Sequence, residues 1–244
     1  MDNPTLKNMR NHRTVRSFSD EALSTSDIRE AVEAAQCAAT SSWIQAYSIL
    51  QVTDEAERQT LAELSGGQTQ VRAAPGFFVI CGDSRRHRLL MEKEGKPFQN
   101  NFEVFLTTVI DASLFAQNLV LAFESQGHGT CLIGGLRTRL ADVAKLLEFP
   151  EGVYPLYGLC VGKPAEDPGT RPRLPFEAVC FQGRYPSDEA MRIQMQQADQ
   201  ASETYYTKRG APARTWSRGM LRRFAKLNRE DLPQAYLNLG AELS

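Results

Sequence analysis

The chain has 244 residues, 42% of them hydrophobic, which suffices for one large domain or two small ones with a sizeable core. Its 28 Lys and Arg against 29 Asp and Glu leave a formal net charge of -1, so the overall balance selects neither nucleic acid nor an anionic membrane as the main partner. Cys37, Cys81, Cys131, Cys160 and Cys180 form no CxxC pair, which argues against a disulfide or metal framework and for free thiols in a reducing, cytoplasmic setting.

The polar start MDNPTLKNMRNHR lacks the apolar segment of a signal peptide. HRTVRSF at 12–18 then sets His12, Arg13, Thr14 and Arg16 ahead of an amphipathic helix, a cluster that reads either as a solvated arm or as an anion-binding strap. Ser24 and Asp27 resemble a capping box, and Ile28, Val32 and Ala35 recur at helical spacing, predicting a helix over about 25–38. TSSW at 40–43 follows. A strand is expected over 47–53, a helix over 54–64 ended by SGGQ at 65–68, and a buried strand over 76–82, with a charged helix from about position 84.

The run from Val104 to Phe123 is apolar enough to suggest a membrane span, but Asp111, Gln117 and Asn118 interrupt it, so a central buried helix is expected. GHGTCLIGG (127–135) reads as turn, strand, turn; LRTRLADVAKLLEF as an amphipathic helix; VYPLYGLCVGKP (153–164) as another buried strand. The proline-rich stretch 164–179 is too rigid and polar for a core element and should run extended as a surface arm. Helical stretches over 187–206, 216–227 and 230–240 close the chain, and from Tyr205 to Arg229 eight basic residues occur with no acid. Four strands among more numerous helices, without strict βαβ alternation, favour an α+β fold.

Several chemistries are excluded by their missing patterns. GHGTCL has Leu132 where a dinucleotide fingerprint needs its third glycine, and it runs into a strand rather than a helix. No phosphate-binding GxxxxGK[ST], no HExxH, no GxSxG and no paired Cys/His metal motif is present. His87 and His128 carry no motif and read as surface or turn residues. What remains is a set of small, hydroxyl-bearing and cationic loop residues.

In order, HRTVRSF, SSWIQ, GGQ, IGGLR, GLCVGKP and RPRLP resemble the oxygen-insensitive NADPH nitroreductase and NADPH-FMN oxidoreductase family of flavoproteins over nearly the whole chain. The resemblance implies a central, mostly antiparallel sheet surrounded by helices, in a single FMN-binding domain over 1–244 with a helical, basic excursion at about 187–244. It implies a homodimer with exchanged arms, non-covalent FMN, NADPH as reductant, and no nucleic-acid, membrane or metal partner.

By the same resemblance, His12, Arg13, Thr40, Arg171 and Arg173 surround the FMN phosphate, which carries roughly two negative charges. Thr14, Arg16, Ser42 and Gln68 lie nearer the ribityl chain and the pyrimidine edge. Ser41, Ile133 and Arg137 complete the cofactor site, and Gly134 and Gly135 let backbone N–H groups approach the ring. Trp43, Arg209 and Arg214 face NADPH or the acceptor; Arg209 matches, in TKRG, an arginine the family uses for the 2′-phosphate. Arg222, Arg223 and Lys226 read as a solvated helix face.

The implied reaction moves two electrons from NADPH to nitroaromatics, quinones or similar acceptors in a ping-pong hydride scheme, with no protein nucleophile or obligatory base and Arg16 as an electrostatic stabiliser. The alternatives are a flavin reductase that hands reduced FMN to a partner and, from another class, a non-enzymatic module binding nucleic acid or another anion. Thr14 for serine and Arg171 for lysine keep the family's chemistry. Trp43 for a smaller aromatic, and Cys131-Leu132 before the IGG, alter the pocket wall and hence the acceptor range.

Overall fold

The computed structural model describes residues 3–226 and 229–243; position 227, the end of the helix expected over 216–227, lies outside them. The chain divides into two compact units: one runs through Pro168 and takes up the chain again from Arg229, and the other begins at Gly169 and lies between.

In the first unit, four antiparallel strands stand in the order β1 (Tyr47–Gln51), β2 (Gly76–Asp83), β4 (Val153–Gly162), β3 (Gly129–Ile133). The alternation of β2 explains why it is buried throughout. Phe78 and Ile80 enter one apolar cluster, while Phe77, Val79 and Cys81 enter another on the opposite face.

The first cluster is roofed by α6 (Phe102–Ser125), whose Phe115, Leu119, Val120 and Phe123 are all 1% exposed or less. Each such side chain on this face contributes about 1.5–3 kcal/mol on burial. The helix is long and apolar enough to cross a membrane, but that face packs on the sheet. Helices α2 (Thr25–Ala35) and α10 (Leu232–Asn238) add Ala31, Ala35, Ala235 and Tyr236 to the same side. On the other face, α3 (Glu55–Leu64), α4 (Gln70–Ala73) and α7 (Leu140–Leu146) supply Leu61, Val71 and Val143.

Local chemistry sets most helix starts. Ser24 Oγ accepts from the Asp27 N–H at 3.0 Å, Asp54 from Glu57 at 2.9 Å and Asn101 from Val104 at 3.1 Å. Helix α4 is unexpected from the sequence, and two helix starts differ from the sequence reading. The polar start forms α1 (Pro4–Arg10), capped by Asn3 with Pro4 in its first turn. The stretch expected as one amphipathic helix before Pro150 starts as a 3₁₀ segment, Gly134–Arg139, and becomes α-helical only over α7. Helix α5 (Arg85–Lys93) matches the charged helix expected from about 84. His128, expected at a turn or surface, sits at a turn but is only 6% exposed, and its Nε2 lies 3.1 Å from Asp27 Oδ2.

The second unit contains a short 3₁₀ turn at Phe176–Ala178 and two helices, α8 (Asp188–Lys208) and α9 (Trp216–Phe224). Ser187 caps α8 through Ala190, and Asp199 accepts from the Ser217 N–H at 2.8 Å, tying the start of α9 to α8. Residues 171–175 carry no regular secondary structure, with Pro175 in an extended conformation, but the arm expected to run extended over 164–179 is interrupted by the 3₁₀ turn at Phe176–Ala178.

Candidate functional site

The HRTVRSF segment is built as an edge strand without a ladder of its own. Thr14 bridges Thr130 in parallel, and the Val15 N–H donates to the Thr130 carbonyl at 3.0 Å. Val15 is 1% exposed because β3 offers a glycine beneath it: a Cβ on Gly129 would fall 2.7 Å from Val15 Cγ2. Val15 therefore anchors the strap and leaves Thr14 and Arg16 outside the core.

Carboxylates meet most of the strap's donors. His12 Nδ1 lies 2.8 Å from Glu124 Oε1, which also accepts from Thr130 Oγ1 at 2.8 Å. Arg13 Nε lies 2.8 Å from Asp167 Oδ1, and Glu166 Oε1 accepts from the backbone N–H groups of Arg16 and Ser17, each at 3.2 Å. The Arg16 guanidinium has no ion-pair partner among the described residues and stands exposed. None of these three acids was singled out by sequence reasoning, because each pairs with a residue far away in the chain.

Beside Arg16 lies the end of β3. Burial raises the Cys131 thiol pKa, while the charge of Arg16 and a hydrogen bond from Gln70 act on it in the opposite sense; the Thr14–Thr130 bridge sets the strap beside this strand. Gln70 Nε2 donates to Gln68 Oε1 at 3.0 Å, and Gln68 Nε2 donates to the Ser65 carbonyl at 2.9 Å. Gly135 fits against this amide so closely that a Cβ would lie 2.0 Å from Gln68 Nε2 and 2.4 Å from Ser65 O. At Gly134 the nearest neighbour of a Cβ is Arg137 Nη2 at 3.6 Å, an ordinary contact. Arg137 donates to the Leu156 carbonyl, and Ile133 is fully buried. Thus Gln68, Gly134, Gly135 and Arg137 stand together at the end of β3, with Ile133 buried beside them and Arg16 on the strap that bridges the same strand. Gln70, which donates to Gln68, was missed; only its proximity to GGQ could have suggested it. Of the pair expected in the pocket wall, Leu132 is 49% exposed but Cys131 is buried behind the strand.

Thr40, Ser41, Ser42 and Trp43 belong to a different part of the unit. Ser41–Trp43 form a 3₁₀ turn, and Ser42, Trp43 and Gln45 adopt φ of 46°, 60° and 54°, a left-handed region that costs a non-glycine residue energy. The Ser41 N–H donates to Asp111 Oδ1 at 2.9 Å, in the middle of α6. His12 contacts Glu124, thirteen positions further along that helix, which is about 20 Å at 1.5 Å per residue. The expected grouping of Thr40 with His12 and Arg13 around one phosphate therefore does not occur within a single chain.

Arg171 and Arg173 lie in the second unit, where with Tyr205, Tyr206, Arg214 and Trp216 they line a cavity of about 380 Å³. Arg214 stacks over Tyr206 at 5.9 Å and Arg209, at the C-terminus of α8, over Tyr205 at 5.5 Å. Four guanidinium groups with three aromatic faces suit an anionic, planar ligand, since Arg222 also lines the cavity. Among the described residues no group of three metal-ligating side chains occurs. Burial pushes the Cys81 and Cys160 thiols up, so neither is a ready nucleophile. The arrangement offers binding and electrostatics.

Comparison with known proteins gives a consistent set of relatives. The family model described as the nitroreductase family matches residues 9–163, and that of its C-terminal domain matches residues 171–244. The chain is 40% identical over 242 residues to an FMN reductase (NADPH) of Bacillus subtilis, covering 97% of this chain and 95% of the relative. It is 37% identical over 229 residues to an oxygen-insensitive NADPH nitroreductase of Salmonella typhimurium, covering 93% of each. A solved nitroreductase structure from B. subtilis superposes with a TM-score of 0.94 at 38% identity, covering 98% of this chain and all of that one.

Proposed function

This chain belongs to the nitroreductase family, and from that premise we propose that it is an FMN-dependent enzyme moving two electrons from NADPH to nitroaromatic, quinone or similar acceptors. The observation that carries the assignment of the site is the patch at the end of β3. There a fixed glutamine amide and two glycines stand together, and the strap beside them carries the Arg16 guanidinium, which has no ion-pair partner among the described residues.

The residues present fit FMN. The accessible Gly134 leaves its backbone free of a side chain, and the Gln68 amide is held in place by Ser65 and Gln70. When bound, FMN supplies the two-electron chemistry that no side chain here can perform. Arg16 offers positive charge to the electron-rich pyrimidine edge of the ring and opposes the negative charge that reduction brings there. Thr14 and Ser42 supply hydroxyls to the sugar-like chain. We assign Arg171 and Arg173 to the phosphate, with His12, Arg13 and Thr40, and Arg209 and Arg214 to the charged end of NADPH. Trp43, 84% exposed, is left to face the acceptor.

We infer a homodimer, because the hydroxyl loop lies far along α6 from the strap of its own chain. The outer face of α6 carries an apolar stripe at helical spacing: Phe102, Leu106, Ile110 and Leu114, each 37–47% exposed. A second copy on that stripe supports bringing one chain's loop to the other's strap. The free thiols and the family's character support a cytoplasmic enzyme.

A second reading, a flavin reductase that releases reduced FMN to a partner, is favoured by the name of the 40% identical B. subtilis relative. Steady-state turnover with NADPH separates the two. The proposal expects nitrofurazone or a quinone to be reduced with bound FMN retained. Turnover of free FMN alone would select the second reading, and no oxidation of NADPH with any acceptor would contradict both.

A further inference from the structure

We propose that Asp111 is a positioning residue for the cofactor: from inside α6 its carboxylate locks residues 41–46 in the backbone shape that offers the Ser41 and Ser42 hydroxyls to FMN. The inference rests on the FMN reading above and assigns a role to a residue that touches neither cofactor nor acceptor.

Asp111 is 0% exposed in the most apolar helix of the chain. A carboxylate in such a place is costly unless it is fully used, and an apolar residue there would pack as well. Its two oxygens have different partners. Oδ1 accepts from the Ser41 N–H at 2.9 Å and Oδ2 from the Ala46 N–H at 3.0 Å. No cation pairs with it among the described residues. One side chain thus closes both ends of a six-residue loop.

The loop's other side is held by α5. Arg86 donates to the carbonyls of Gln45, at 3.2 Å, and of Tyr47, and His87 Nε2 lies 2.9 Å from the Ile44 carbonyl. Between these clamps three non-glycine residues sit at positive φ within four positions. Packing does not explain the strain, since Ser41, Ser42, Trp43 and Ile44 are all exposed. Backbone held away from its preferred shape, with nothing buried in return, is a surface arranged for a ligand. The same geometry pins Trp43 outward next to the hydroxyls, which makes the Asp111 clamp a determinant of where the acceptor-facing indole stands.

Asparagine is the discriminating substitution. It keeps the volume but offers one acceptor, and its NH₂ group would face a backbone N–H that needs an oxygen, releasing one end of the loop. The chain has two tryptophans, so a Trp216→Phe background isolates Trp43 as a fluorescent reporter. In cofactor-free full-length protein, Asp111→Asn in that background is expected to lower the Trp43 anisotropy. With both tryptophans present, Asp111→Asn is expected to raise the Kd for FMN about tenfold, as for loss of one hydrogen bond to a charged group.

Leu119→Ala, buried in the same helix but away from the loop, is the control: a comparable loss of Tm with the Kd for FMN within about twofold of wild type. If Asp111→Asn does not fold, Arg86→Ala releases the loop from its solvent side and is expected to change both readouts in the same direction. Unchanged FMN affinity in Asp111→Asn, or equal weakening in Leu119→Ala, overturns the inference. A wild-type chain that binds no FMN overturns the parent reading and this one with it, whereas wild-type binding with an unaffected Asp111→Asn overturns this one alone.

Discussion

Two adjacent glycines are expected to respond differently to the same methyl group. At Gly135 an alanine Cβ would fall 2.4 Å from the Ser65 carbonyl oxygen and 2.0 Å from Gln68 Nε2, so the end of α3 and the amide must both move. Overpacking of this kind costs about 1–3 kcal/mol, and expelling Gln68 forfeits its bond to Ser65, about 1 kcal/mol more. For a domain of this size each kcal/mol corresponds to roughly 2–4 °C, so Gly135→Ala should lower Tm by about 4–16 °C. At Gly134 the nearest atom to the new Cβ is 3.6 Å away, so Gly134→Ala should leave Tm within about 2 °C. The cofactor gives the second readout: on the proposed site a methyl group at Gly134 meets the approaching ring, so FMN affinity should fall without loss of fold. Thermal unfolding followed by circular dichroism, and FMN fluorescence titration, measure the two effects separately. Equal Tm values for the two variants, or a larger loss at Gly134, would refute the reasoning.

Burial pushes the Tyr236 phenol up to about 12, and its hydroxyl donates to the Pro155 carbonyl at 3.0 Å. A raised pKa gives stability that is complete below the unfolded value near 10 and is lost as pH rises through 12, a difference on the order of 2–3 kcal/mol. Tyr236→Phe should therefore flatten the loss of denaturant midpoint between pH 10 and 12; an unaltered alkaline limb would remove Tyr236 from that role. Arg209→Ala is expected to raise KM for NADPH far more than for NADH, and equal effects would take Arg209 away from the 2′-phosphate. Asp167 holds Arg13 at 2.8 Å from an exposed position, so Asp167→Asn should tighten FMN severalfold in a low-salt titration. Weaker binding would mean that Asp167 orients Arg13 rather than competes for it.

The fold was legible where pattern and local chemistry agree. The four strands carry β-branched and aromatic runs short enough to be unambiguous, and the Ser24 cap and the apolar length of α6 need no tertiary information. Helix α1 was missed although Asn3 and Pro4 are start signals, because its residues bury nothing and so leave no periodicity to read. The 3₁₀ start before α7 is hidden in the sequence because the four-residue spacing of Leu136 and Leu140 matches an α-helical face. At the proposed site, HRTVR, GGQ and IGG are the segments from which the sequence reading draws its donors. Glu124, Glu166, Asp167 and Asp111 escaped because an acid's role depends on what it meets across more than sixty residues of chain, which no local pattern encodes. The resemblance groups Thr40 with His12; within one chain their neighbours Ser41 and Glu124 contact α6 about 20 Å apart, which only tertiary structure reveals.

The central claim is that these loops hold an FMN that accepts electrons from NADPH. Its most direct measurement is the visible absorption spectrum of purified protein, reconstituted with excess FMN, desalted, and titrated anaerobically with NADPH. The account predicts a flavin band near 450 nm that survives desalting at about one FMN per chain and is bleached by one equivalent of NADPH. Protein that emerges colourless, or a retained flavin that NADPH leaves oxidised, would contradict it.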